Sequence, residues 1–263
     1  MLRAAAIFNS SDQCVSLGVR EFIFGFLRFL LYPVAAALPL GRWPYVLGRV
    51  FGIKLHNRVR ANPKPTTYGS ANINIVIALL GRTLPLPGDV AECGVFRGAT
   101  LASIAYFCRQ QRSGKTVFGF DSFSGFDESE LKAELKNAAA DKKREAAAFA
   151  SNSAEHVKRK LRLVGAYKNV VLHKGFFADT LHNVQDRKFC FVHLDCDLAA
   201  AYETCLGFFY ERMTKGGIML FDEYRDPVYE AATAVIDRFF EGRPEKVMLA
   251  ESDNYMKYYI VKQ

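Results

Sequence analysis

The feature that most constrains this chain of 263 residues is a strand–helix–strand pattern between Phe189 and Tyr224. Two short apolar runs, Phe189–Leu194 and Gly217–Phe221, have the length and composition of buried strands. The segment between them, Leu198–Met213, is long enough for a helix, and the following Lys215-Gly216-Gly217 predicts where that helix closes. Strands joined in this way run parallel, and a right-handed crossover brings both carboxyl ends to one edge of the sheet, where open α/β sheets bind ligands.

Acidic residues follow both of these strands. Asp195 and Asp197 come after the first strand, and Asp222 and Glu223 come after the second. Two unit charges about 4 Å apart repel by roughly 4 kcal/mol at an effective dielectric near 20, so such a cluster favours a bound cation or a shared proton. Hard cations such as Mg²⁺ or Ca²⁺ prefer carboxylate oxygen. A period of two would also put His193 on the same face as Asp195 and Asp197 if the strand stays extended. A single such acid is more often a helix cap or a partner of Lys or Arg, but four acids on adjacent strands favour a site.

A glycine-containing turn follows the first predicted strand of the sheet, Asp89–Cys93. The turn runs through Gly94 and Gly98 into a predicted helix, Leu101–Arg109, and this combination is typical of a nucleotide cradle. The spacing is G-x-x-x-G, which differs from the G-x-G-x-x-G dinucleotide motif. Glu92, near the strand end, suits a ligand with positive charge, such as a sulfonium or an ammonium group, better than a pyrophosphate.

Two further strand ends carry residues that suit a nucleoside. The predicted strand Thr116–Phe120 ends in Asp121, at the place where α/β cofactor folds bind ribose hydroxyls, although a helix N-cap is the alternative. Residues 122–126 would then wall the cofactor. The predicted strand Val170–Lys174 leads into a loop in which Phe176 either stacks on a base or packs in the core.

The remaining pattern completes an α/β domain. A helix is predicted over Asn72–Leu84 and another over Tyr229–Phe240. Asp127–Arg162 is charged and Ala-rich, which indicates a surface helix pair or a mobile cover. Lys246–Ala250 and Met256–Val261 are expected to close the sheet as an antiparallel pair.

The N-terminal part, residues 1–65, differs in composition and is predicted to be a separate helical extension. Phe22–Leu40 is strongly apolar, but Arg28 and two prolines make membrane insertion marginal. Basic residues without any acid follow in Arg42–Lys64, within a chain of formal charge +8. We expect the apolar segment to lie on the main domain, on a partner subunit, or on a membrane surface, with peripheral contact through residues 20–60.

The cysteines and the absence of nucleic-acid-binding motifs limit the cellular compartment and the partners that we expect. The six cysteines form no C-x-x-C pair, which indicates that they are reduced and that the protein is cytoplasmic. If the N-terminal part contacts a membrane surface, the protein is also expected to be membrane-associated. The sequence contains no motif for binding nucleic acid, so we do not expect a nucleic acid as a partner. We expect a homo-oligomer.

Five segments together resemble the macrocin O-methyltransferase family, the metal-dependent sugar O-methyltransferases that use S-adenosylmethionine (SAM). They are ECGVFRG (92–98), GFDSFSGF (119–126), KGFFADTL (174–181), HLDCDL (193–198) and GGIMLFDEY (216–224). The resemblance covers roughly residues 66–263. It implies a Rossmann-like class I SAM-dependent methyltransferase fold with a seven-stranded, mostly parallel sheet flanked by helices.

The resemblance also implies roles for individual residues. The metal, usually Mg²⁺, would be held by Asp195, Asp222 and Glu223. SAM would be held by Thr66, Thr67, Tyr68, Glu92, Cys93, Gly94, Val95, Gly98, Thr100, Asp121, Ser122, Phe123, Gly175, Phe176 and Asp195. This chain departs from the family in having Ala199 where Tyr is usual, and Glu223 where Asp is more frequent.

The function expected from this resemblance is SAM- and metal-dependent O-methylation of a hydroxyl on a sugar or glycosylated natural product. Asp195 would take part in the site, and either Asp197 or His193 would accept the proton of the acceptor hydroxyl. One alternative is a methyltransferase that acts at a membrane surface on a lipid-linked glycan. The other is a nicotinamide-dependent oxidoreductase, against which the missing dinucleotide motif and Glu92 both argue.

Overall fold

The computed structural model describes residues 71–134, 152–227, 229–252 and 255–263. The predicted N-terminal extension, including the apolar segment and Thr66, Thr67 and Tyr68, therefore lies outside the described residues. Within the described part, none of the helices is both long and apolar enough to cross a membrane.

The described elements alternate between strands and helices. The helices are α1 Ala71–Thr83, α2 Ala99–Gln110, α3 Glu128–Glu134, α4 Ala154–Leu163, α5 Phe177–Thr180, α6 Ala199–Tyr210 and α7 Glu230–Phe240. The strands are β1 Asp89–Cys93, β2 Val117–Asp121, β3 Val170–Lys174, β4 Phe189–Leu194, β5 Met213–Phe221, β6 Met248–Ser252 and β7 Tyr255–Val261. Short 3₁₀ turns occupy Tyr167–Asn169 and Leu181–Val184.

The strands form one seven-stranded sheet in the order β3-β2-β1-β4-β5-β7-β6. The first five strands of this order are parallel, and β7 runs antiparallel to both β5 and β6. The strand order reverses between β1 and β4, and such a switch point opens a crevice at the carboxyl ends of the strands. The expected mostly parallel sheet with flanking helices is confirmed.

Most predicted boundaries agree with the structure, but the start of β5 differs. The predicted helix over Leu198–Met213 ends at Tyr210, and Lys215-Gly216-Gly217 lies inside β5 instead of closing the helix. Phe189 pairs with Met213 while Phe191 pairs with Ile218, so the residues between them on β5 form an irregularity in the ladder. Gly216 has φ 82°, so the glycines make a bulge where a turn was expected.

Apolar side chains fill both faces of the sheet. One cluster packs β4 and β5 against α6 and α7, and the other packs α1, α2 and α4 against the opposite face. All six residues of β4 are buried, as expected for a central parallel strand with helices on both sides. Because both faces are covered, polar side chains with a role in binding are confined to the strand ends.

Candidate active site

A cavity of about 330 Å³ opens at the carboxyl ends of the strands. Its walls come from the loops after β1, β2, β3 and β4 and from α6. Seven of the predicted site residues line it: Gly94, Asp121, Ser122, Gly175, Phe176, Asp195 and Asp197. Backbone hydrogen bonds continue the sheet ladder into these loops, as in Asp195 N to Cys93 O at 2.9 Å and Gly175 N to Asp121 O at 3.0 Å. The strands therefore fix the positions of the loops around the cavity.

The loop after β1 approaches the loop after β4 so closely that only glycine fits. Gly94 has φ 87°, and a Cβ atom built there would lie 1.7 Å from the carbonyl oxygen of Asp195. Gly98 has φ 69°, and a Cβ there would lie 2.7 Å from Val157 on α4. Gly94 thus allows the β1 loop to contact the backbone of Asp195, and Gly98 allows the same loop to pack against helix α4.

Asp121 connects two loops at the cavity wall. Its Oδ2 accepts a hydrogen bond from the Phe96 backbone N–H at 2.7 Å, and its Oδ1 accepts one from the Phe123 backbone N–H at 2.6 Å. Both donors have positive φ angles, 47° and 51°. The carboxylate therefore bonds the loops themselves and caps no described helix. Each of its oxygens keeps a lone pair with which it can accept a ribose hydroxyl.

Glu92 is buried, with 1% of its surface exposed, beneath the β1 loop. Its Oε1 lies 3.2 Å from His193 Nδ1, and its Oε2 has no hydrogen-bond partner among the described residues. Burial raises the pKa of Glu92, although the hydrogen bond with His193 opposes this. A buried carboxylate oxygen without a donor fits a ligand that brings an N–H or an ammonium group.

Acidic side chains meet at the ends of β4 and β5. Oxygen atoms of Asp195, Asp197 and Glu223 lie within 4.8 Å of one another, and a second group of His193, Asp195 and Asp222 meets the same limit. The predicted metal residues therefore belong to two overlapping groups that share Asp195. The strand does not stay extended through Asp197, because β4 ends at Leu194 and Asp197 has φ 60°, so the condition for the expected alternation is not met.

Asp222 is held by two basic side chains. Lys257 on β7 makes an ion pair with its Oδ1, and His193 Nε2 lies 3.3 Å from the same oxygen. Burial would raise the pKa of Asp222, but His193 and Lys257 outweigh it and lower the pKa to about 2. Burial likewise opposes protonation of His193, yet its bonds to Asp222 and Glu92 raise its pKa to about 10. Both ring nitrogens of His193 thus face carboxylates, an arrangement that disfavours His193 as the proton acceptor.

The chemistry of the other acids suits a hard cation. Burial, followed by Asp222 and Glu223, raises the pKa of Asp195 well above its ordinary range. Burial, followed by Asp222 and Asp197, raises the pKa of Glu223 to about 8. These carboxylates carry negative charge at a cost in free energy that a divalent cation among their oxygens would remove.

Comparison with known proteins gives the family. A model described as Macrocin-O-methyltransferase (TylF) matches residues 77–259. The chain belongs to this family. It is therefore an O-methyltransferase, and the nicotinamide-dependent oxidoreductase considered as an alternative is wrong. No curated protein matches the sequence significantly.

Solved structures share the fold of this macrocin-O-methyltransferase family member. The O-methyltransferase NovP is 20% identical, with 93% of this chain and 100% of that chain covered and a TM-score of 0.63. The calicheamicin methyltransferase CalS11 is 16% identical, with 97% and 94% covered and a TM-score of 0.65. An O-methyltransferase from Bacillus cereus in complex with SAH is 13% identical, with 83% and 91% covered and a TM-score of 0.50. These likenesses support a class I, SAM-dependent methyltransferase fold.

The other described residues predicted to contact SAM are not among those that line the cavity. Cys93, Val95 and Phe123 are buried in the two apolar clusters. Gly98 precedes α2, and Thr100 is half-buried in its first turn. Phe176, in contrast, is 38% exposed and lines the cavity, which agrees with stacking on a base better than with core packing.

Sequence reasoning missed two buried polar residues of this family member's site. Lys257 is 6% exposed, and its sequence context indicates only a place in the closing strand. Tyr202 on α6 lies with its hydroxyl 2.5 Å from Glu223 Oε2. Lys257 could have been noticed in the sequence, because it is a single lysine within the otherwise apolar and aromatic run YMKYYIV. No comparable signal identified the second, because Tyr202 lies in a helix of buried apolar residues.

Proposed function

We propose that this protein is a SAM-dependent, divalent-metal-dependent O-methyltransferase acting on a hydroxyl of a sugar or glycosylated natural product. The observation that carries the proposal is the group of Asp195, Asp197 and Glu223, whose oxygens lie within 4.8 Å of one another, with Asp195 and Asp197 in the wall of the cavity. In a family of O-methyltransferases, such a group beside the cofactor crevice suits activation of a hydroxyl.

The cofactor end of the cavity fits SAM. Gly94, Gly125 and Gly175 leave room at the wall, and Asp121 presents acceptor oxygens suited to the ribose. The unpartnered Oε2 of Glu92 suits the ammonium group of the amino acid end, and Phe176 offers an exposed ring to the adenine. SAM supplies an electrophilic methyl group bound to a sulfonium.

The metal end would be formed by Asp195, Asp222 and Glu223, with Asp197 close to them. A divalent cation held by these residues would lower the pKa of an acceptor hydroxyl and fix its orientation. We propose that Asp197 accepts the hydroxyl proton on a carboxylate oxygen, because it lines the cavity and belongs to the same acidic group. Lys257 and His193 keep Asp222 ionised and oriented.

The acceptor class rests on the relatives. CalS11 is described as a TDP-rhamnose 3′-O-methyltransferase of calicheamicin biosynthesis. A sugar hydroxyl is the corresponding proposal for this chain. Ala199 precedes the cavity-lining Ala201 and Thr204 on α6, and small side chains on this helix leave space for a ring substituent.

The test is a methyl-transfer assay with SAM across a panel of sugars, nucleotide sugars and glycosylated natural products, with Mg²⁺ and with excess chelator. We expect transfer only with metal, and Asp197→Asn to lower kcat at least a hundredfold while SAH binding is retained. Asp179→Asn is the matched control, since Asp179 is an exposed acid in the same cavity wall. Full activity in chelator would refute the metal requirement, and equal activity of the two variants would refute the role of Asp197.

We also propose that residues 1–65 form an extension separate from a catalytic domain over 66–263. Contact of residues 20–60 with a membrane surface or a second subunit is supported by the apolar Phe22–Leu40 and the basic stretch after it. Sedimentation of the full chain with anionic vesicles, and its mass in solution, test these two possibilities. A monomer that stays in the supernatant would refute both.

A further inference from the structure

Tyr202 lies behind the acidic group and is completely buried, with 0% exposure. Its hydroxyl is 2.5 Å from Glu223 Oε2 and 2.9 Å from the carbonyl oxygen of Leu194. The backbone N–H of Glu223 points at the same hydroxyl at 3.4 Å. A phenol buried this deeply with a carboxylate and two backbone groups around it is held in one orientation.

These contacts join two loops to one helix. Leu194 is the last residue of β4 and precedes Asp195, while Glu223 follows the end of β5. The Leu194 carbonyl also accepts a hydrogen bond from Asp222 N at 2.9 Å. A single phenol on α6 therefore contacts both strand ends from which the acidic side chains extend.

Glu223 needs such a contact more than a shorter acid would. A glutamate has three rotatable side-chain bonds, so without a partner its carboxylate samples several positions. Glu223 is 4% exposed, and no Lys or Arg of the described residues forms an ion pair with it. The Tyr202 hydroxyl engages Oε2 of Glu223, and Glu223 also shares a hydrogen bond with Asp195 inside the group of Asp195, Asp197 and Glu223.

We propose that Tyr202 is a positioning residue that orients Glu223 for binding a divalent cation, an inference that rests on the proposed metal dependence. Tyr202 is not among the residues that line the cavity, so it would act through the carboxylate of Glu223. Hydrogen-bond partners of metal ligands typically change metal affinity by 10- to 100-fold when they are removed.

Tyr202→Phe is the test, because it removes only the hydroxyl and keeps the buried ring. Tyr210→Phe is a matched control. Tyr210 lies on the same helix, is buried, and donates its hydroxyl to Oε2 of another buried glutamate, Glu245, at 2.9 Å, away from the acidic group. Both variants lose a buried tyrosine–glutamate bond, so both should unfold at a lower temperature.

The deciding measurement is Mn²⁺ affinity, followed by electron paramagnetic resonance, with SAH affinity as the check of an intact fold. We expect Tyr202→Phe to bind Mn²⁺ at least tenfold more weakly and SAH as well as wild type does, and Tyr210→Phe to bind Mn²⁺ within twofold of wild type. In Glu223→Gln, adding Tyr202→Phe should weaken Mn²⁺ binding no further, since the two act as one unit. This pair keeps the inference testable if the single Tyr202 variant is unstable.

Three outcomes would overturn the inference. If wild type binds no Mn²⁺, the metal part of the proposed function fails and the inference fails with it. If wild type binds Mn²⁺ and Tyr202→Phe binds it equally well, the inference alone fails. If both tyrosine variants lose Mn²⁺ affinity to the same extent, Tyr202 has only a structural role.

Discussion

Replacing Glu245 with Gln should destabilise this protein strongly at neutral pH and much less at acidic pH. Glu245 is 2% exposed and binds the C-terminal residues. Its Oε1 accepts from Lys262 Nζ at 2.8 Å and from Gln263 N at 3.2 Å, and its Oε2 accepts from Tyr210 at 2.9 Å. Burial would raise the pKa of Glu245, but these donors outweigh it and lower the pKa from 4.5 to about 2.

The size of the effect follows from this difference. Because each tenfold change in proton affinity corresponds to about 1.4 kcal/mol, the ionised Glu245 contributes about 3 kcal/mol to the free energy of unfolding at neutral pH. A depressed pKa in the folded state means that this contribution is complete above about pH 5 and is lost as the pH falls through about 2. By pH 3, less than half of the roughly 3 kcal/mol should remain.

Urea unfolding of wild type and Glu245→Gln at pH 7, 5, 4 and 3 measures this directly. We expect wild type to be more stable by about 3 kcal/mol at pH 7 and by about 1 kcal/mol at pH 3. Glu241→Gln is the control: Glu241 is exposed at the end of α7, and its replacement should change stability by less than about 0.5 kcal/mol at every pH. A wild-type advantage that stays constant from pH 7 to pH 3 would refute the electrostatic reasoning.

Two further predictions concern the site itself. Gly94→Ala should weaken SAH binding at least tenfold, because its Cβ would lie 1.7 Å from the Asp195 carbonyl, whereas Gly114→Ala, with φ 69° but open space around it, should bind SAH normally in isothermal titration calorimetry. Normal SAH binding by Gly94→Ala would contradict the described loop contact. Lys257→Met should lower the free energy of unfolding by about 2 kcal/mol, since it removes the lysine from the half-buried Asp222 and leaves His193 to face that carboxylate. Chemical unfolding measures this loss, and an unchanged midpoint would show that the ion pair contributes nothing.

The parts of the fold that could be predicted depend on local patterns. The bounds of β1, β3 and β4 match the predicted strands, because each strand contains a short apolar run and is followed directly by Gly or Asp. The convergence of Asp195 and Asp222 could be predicted as well, since a parallel crossover brings strand ends to the same edge.

The parts that could not be predicted depend on register between distant elements. Phe221 pairs with Tyr258 in the antiparallel ladder of β5 and β7, so the next pair brings Asp222 opposite Lys257. A shift of one residue would have turned Lys257 to the other face of the sheet. The contact of Tyr202 with Glu223 likewise requires the rotation of α6 about its axis, which the apolar composition of that helix leaves undetermined.

The antiparallel return of β7 has a consequence for local opening of the sheet. The ammonium group that balances Asp222 belongs to Lys257, which reaches the carboxylate only through the ladder between β5 and β7. If β7 detaches from β5 while the parallel strands stay paired, the ion pair separates although most of the sheet is intact. Transient fraying at this strand would therefore leave the acid at the end of β5 without the lysine before the protein unfolds as a whole.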